Sequence, residues 1–75
     1  MNKTQRNKIA EILDQLNGAL CEIENIKDEE EEKYENLPEQ FQDTERGEAI
    51  RDAIDILDDA YSYLSDAIDS LENIY

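Results

Sequence analysis

The hydrophobic and polar positions of this chain follow a seven-residue repeat over its last third. Residues 53–59 read AIDILDD, 60–66 read AYSYLSD and 67–73 read AIDSLEN. Alanine returns at Ala53, Ala60 and Ala67, leucine at Leu57, Leu64 and Leu71, and aspartate at Asp52, Asp59 and Asp66 on the opposite side. This spacing predicts a helix over about 45–74 that packs along a seam and turns carboxylates to water. Further rows are Ile54, Tyr61, Ile68 and Tyr75, then Ile56 with Tyr63. The alanine row allows a neighbouring helix to approach closely.

A second pattern predicts a helix over about 3–35. Its seam is Ile9, Leu13, Leu16, Leu20 and Ile23, at spacings of four and three, flanked by Ile12, Ala19 and Ile26. The apolar face is broader than a two-stranded coiled coil needs. Asn2 or Thr4 can cap its start. Continued, the seam meets polar Lys27, Glu30 and Lys33 before Tyr34 and Leu37 rejoin it, so the core thins toward this end. Gly18 sits between in-phase Leu16 and Leu20, so the helix should run through it, with a penalty of about 1 kcal/mol relative to alanine.

Residues 36–44 form the joint. Pro38 cannot continue the first helix without losing a hydrogen bond and clashing with the preceding turn. Thr44 is positioned to cap the second helix, with Glu45 and Glu48 near the positive end of its dipole. Gly47 points to close packing of the joint, with Phe41 as the candidate, over the first turn of that helix.

Two long helices and a short joint predict an all-α, single-domain antiparallel hairpin over residues 1–75. One neighbour cannot cover four apolar rows, and a hairpin of this size is poorly stabilised alone. We therefore expect a homodimer that forms a four-helix bundle. Its interface would draw on Leu13, Leu16, Leu20, Ile23, Ile54, Ile56, Leu57, Tyr61, Tyr63, Leu64, Ile68 and Leu71. Tyr63 and Tyr75 suit an interface because they combine area with a polar handle, toward either a sister chain or a different protein.

Charge narrows the function classes. Seven basic residues face 21 acidic ones, a formal charge of −14. Direct binding to nucleic acid or to an anionic membrane is disfavoured, and a basic protein partner is favoured. The apolar runs are too short to span a membrane. The start, MNKTQRNK, leads into an amphipathic stretch rather than a signal peptide. Cys21 is the single cysteine, which suits a cytoplasmic setting, and as a flank of the seam it should be half-buried. The chain has no histidine, so neither Cys21 nor Ser62, Ser65 and Ser70 has a histidine base, and the usual zinc and di-metal ligand sets are missing. No enzyme activity, cofactor or metal site is expected. Lys3, Arg6 and Lys8 fall where they can pair with Asp69, Glu72 and the end of the second helix.

The acidic positions are the remaining candidate. Asp52, Asp55, Asp59, Asp66 and Asp69 take outward positions on the second helix, and no lysine or arginine follows Arg51. Residues three and four apart rise by about 5–6 Å, of the same order as the phosphate spacing along a nucleic-acid strand. A rigid bundle carrying that stripe can stand in for a nucleic-acid backbone; the plainer alternative is a solvated face. Glu29, Glu30, Glu31 and Glu32 form a second acidic patch, suited to a Lys/Arg surface.

The segment EEEEKYENLPEQFQDTERGEAIRDAIDILDDA resembles small acidic helical-hairpin proteins of bacteriophages and mobile elements of Gram-positive bacteria. The resemblance rests on Asn36-Leu37-Pro38-Glu39, on Glu45-Arg46-Gly47-Glu48 and on the heptad helix after them. That family brings no established activity. It implies a setting in which small proteins bind a host protein, sometimes a nucleic-acid-binding or defence enzyme, in the host cytoplasm. The expected function is thus a non-enzymatic interaction module of inhibitor type. An assembly module whose partner is itself, and a small-ligand sponge with a pocket at the dimer interface, are the alternatives.

Overall fold

The computed structural model describes residues 1–74, so Tyr75 and its place in the Ile54 row lie outside the described residues. Helix α1 spans Lys3–Glu35, a short α2 spans Glu39–Gln42, and α3 spans Glu45–Glu72. The described residues form no strand. The molecule is a rod measuring 59 × 14 × 13 Å.

Local chemistry sets the ends. Asn2 and Gln5 cap α1 reciprocally: the Gln5 N–H donates to Asn2 Oδ1 at 2.8 Å, and the Asn2 N–H donates to Gln5 Oε1 at 3.1 Å. These bonds satisfy donors that the first helical turn leaves without partners. The helix continues through Gly18, whose missing Cβ would meet nothing within 4 Å. It stops at Asn36, two residues before Pro38, where the Asn36 N–H reaches Glu32 O at 3.0 Å. Thr44 holds the cap position of α3, but its side chain accepts no cap hydrogen bond. Its hydroxyl instead donates to the carbonyl of Phe41, which fastens the joint rather than the helix.

Helices α1 and α3 pack antiparallel. Lys27 of α1 meets Asp58 of α3, and Tyr34 of α1 lies under Arg51 of α3. Stepping seven residues back along α1 therefore steps seven forward along α3, the relation of chains running in opposite directions. Leu16, Leu20, Ile23, Ile54, Leu57, Tyr61, Leu64 and Leu71 are half-buried along the contact. Only Leu13, at 9% exposure, and Ile68, at 5%, count as buried hydrophobic side chains among the described residues. Two helices in contact shield one face each, so most seam side chains keep an edge in water.

The joint folds back onto α3 at Gly47. A Cβ there would lie 2.6 Å from the carbonyl carbon of Gln42 and 2.9 Å from its Cα. The close approach is thus made by the Gln42 main chain; Phe41, expected to fill this role, is exposed. Gln42 also binds backward, its side-chain amide donating to the carbonyls of Leu37 at 3.3 Å and Tyr34 at 3.5 Å.

Candidate interaction faces

The two long sides of the hairpin differ. One side is closed by polar contacts. Lys27 Nζ donates to Asp58 Oδ1 at 2.8 Å and lies 3.9 Å from Glu31. The Arg51 guanidinium sits 5.9 Å from the centre of the Tyr34 ring, within cation–π reach. Arg51 and Asp58 are seven residues apart and so share one flank of α3. The hydrogen bond to Asp58 is the main reason the Lys27 ammonium holds its proton above the ordinary lysine value of 10.5.

The other side is open and carries exposed apolar side chains among charged ones. Glu30 and Lys33 of α1, with Arg46, Ala49 and Ile50 of α3, line one shallow depression there. Ile26 precedes Glu30 by four residues and Lys33 by seven, and Ile56 and Tyr63 follow Ala49 at intervals of seven. Each continues a row that lines the depression. Ile12 and Ile26 are exposed, and Ile56 and Tyr63 are exposed to 67% and 73%. The sequence-assigned interface therefore divides in two. Leu13, Leu16, Leu20, Ile23, Ile54, Leu57, Tyr61, Leu64, Ile68 and Leu71 serve the contact between α1 and α3. Ile56 and Tyr63 face water.

The acidic residues also divide. Asp52, Asp55, Asp59, Asp66 and Asp69 are all exposed and run along the outer face of α3 for about 25 Å at 1.5 Å per residue. The glutamates of α1 do not join them. Glu29 and Glu32 are exposed on the part of α1 turned away from α3, while Glu30 and Glu31 are half-buried. Lys33 Nζ binds Glu30 Oε1 at 2.9 Å, which raises the Lys33 pKa, and Glu31 pairs with Lys27. Four successive helical residues point in four directions, so a run of like residues spreads around the helix rather than forming one patch.

Several features carried little or no sequence signal. The Lys27–Asp58 pair joins residues 31 apart. Lys27 marked a polar break in the seam, but nothing local names its partner. Cys21, expected to be half-buried, is exposed. Among the described residues, Lys3 and Lys8 form no ion pair with Asp69 or Glu72. No group of three or more acidic or cysteine side chains among the described residues is placed to hold a metal ion. No described helix is long and apolar enough to cross a membrane.

No protein-family model, curated protein or solved structure matches this chain.

Proposed function

We propose that the protein is a non-enzymatic interaction module that presents the outer face of α3 to a basic surface on another protein, in the manner of a phage-type inhibitor that stands in for nucleic acid. The observation that carries this reading is the run of exposed carboxylates Asp52, Asp55, Asp59, Asp66 and Asp69 on one helical face, with no basic residue after Arg51 in α3 to neutralise it. A net charge of magnitude about 2–8 suffices to keep a small domain soluble, and this chain carries −14. Such a face steers a basic partner electrostatically and loses affinity as salt screens it. The glutamates at 29–32 are secondary, since they lie away from this face.

The test is capture from a bacterial lysate on the immobilised chain, followed by challenge with salt and with duplex DNA. A partner held by the acidic face is released by both. It is not retained when Asp52, Asp55, Asp59, Asp66 and Asp69 are all changed to asparagine, while circular dichroism shows the helices intact. Full retention by that variant refutes the reading.

A second reading, an assembly module whose charge serves solubility alone, draws on the exposure of Ile56 and Tyr63. It predicts that the same asparagine variant is more stable and otherwise unchanged.

A further inference from the structure

We propose that the open side of the hairpin is the seat of a second copy of this chain, docked with its two-fold axis along the rod so that α1 of each copy packs against α3 of the other. This inference is separate from the acidic-face reading, although Asp52 and Asp59 border both faces.

Three observations support it. The first is area. A compact monomer of 8.7 kDa should expose roughly 4,700 Å². The hairpin exposes 5739 Å². The excess, about 1,000 Å², is close to the roughly 800 Å² that each partner buries in a standard interface. The second is the pattern on that side. Ile12, Ala19 and Ile26 recur at sevens on α1, and Ile56 and Tyr63 recur at seven on α3. Recurrence at sevens on both helices is the spacing of a helical bundle seam.

The third is charge, which selects the orientation. The α1 row reaches Lys33, seven residues after Ile26. The α3 row is edged by Asp52 and Asp59, four before and three after Ile56. A two-fold axis across the rod would set α3 against α3 and bring these aspartates onto their own copies. An axis along the rod sets the α1 row, with Lys33 at its end, against the aspartate-edged α3 row instead. Because Tyr34 and Arg51 are level, Lys33 and Asp52 are level too. In an unstaggered dimer Lys33 therefore faces Asp52 of the second copy. Lys33 already binds Glu30, and its ammonium keeps donors to spare. Every helix then has antiparallel neighbours, which suits the helix dipoles.

The experiment is size exclusion with light scattering on the intact chain over a concentration series. The expected mass is that of a dimer. The double variant Ile56→Glu/Tyr63→Glu should weaken the dimer by about 100-fold or more, since carboxylates would have to be desolvated. A charge exchange guards against a variant that merely fails to fold. Lys33→Asp and Asp52→Lys should each weaken the dimer several-fold, and together they should restore it. A helical native chain that stays monomeric at every concentration overturns the proposal. So does a dimer indifferent to Ile56→Glu/Tyr63→Glu. Strengthening of the dimer by Asp52→Lys alone overturns the arrangement. Failure of the acidic-face reading shows differently, as full partner capture by the variant with asparagine at all five positions.

Discussion

Replacing each glycine by alanine should move stability in opposite directions, and the structure sets both magnitudes. In a helix interior alanine is favoured over glycine by about 1 kcal/mol. At Gly18 nothing lies within 4 Å of the new Cβ, so Gly18→Ala should realise that gain in full. At Gly47 the same gain meets main-chain atoms of Gln42 at 2.6 and 2.9 Å, with the Gln42 carbonyl oxygen closer still. Backbone cannot rotate aside as a side chain can, so α2 must lift from α3. Overpacking of this kind costs about 1–3 kcal/mol. The Gln42 amide bonds to Tyr34 and Leu37 move with α2 and put at risk about 0.5–1.5 kcal/mol each. Net of the propensity gain, Gly47→Ala should be less stable than the native chain by about 1–5 kcal/mol. For a chain of 75 residues each kcal/mol shifts the melting temperature by roughly 4–8 °C. Thermal and urea unfolding followed by circular dichroism, at one fixed protein concentration, reads both variants. A Gly47→Ala protein as stable as Gly18→Ala would refute the claim that the joint closes on α3 through the Gln42 main chain.

Further outcomes follow from the same contacts. Asn2→Ala removes the capping box and should cost about 1 kcal/mol, seen as a lower urea midpoint and faster amide exchange in the first turn of α1. The Lys27 pKa is raised in the folded state, chiefly by the Asp58 hydrogen bond, so that bond stabilises the fold at pH values below the unfolded 10.5 and its contribution is lost as pH climbs through the raised value. The difference in urea midpoint between the native chain and Asp58→Asn should accordingly be constant near neutrality and shrink above about pH 10.5. A difference that grows with pH would contradict the assignment. With a net charge of −14, sodium chloride should raise the melting temperature of the chain while it weakens binding to any basic partner.

The sequence by itself determined the helices and their apolar rows. Periodicity is a local property: Ala53, Leu57, Ala60, Leu64 and Ile68 can share a face only if the backbone is helical, and Pro38 must end α1 whatever lies around it. The all-α hairpin follows from two such helices and a joint too short for anything else. The tertiary structure decided which rows the hairpin consumes and which it leaves. Tyr61 and Tyr63 are two residues apart in one repeat, yet Tyr61 is half-buried and Tyr63 is exposed, because two positions on a helix are separated by about 200° and α1 covers only one of them. It also parted Glu29 and Glu32 from the aspartates of α3, and it joined Lys27 to Asp58 across 31 residues. Those outcomes depend on the register between two helices. That register is set by how the Gln42 main chain seats on Gly47 and by side-chain contacts along the whole seam, which no local pattern encodes.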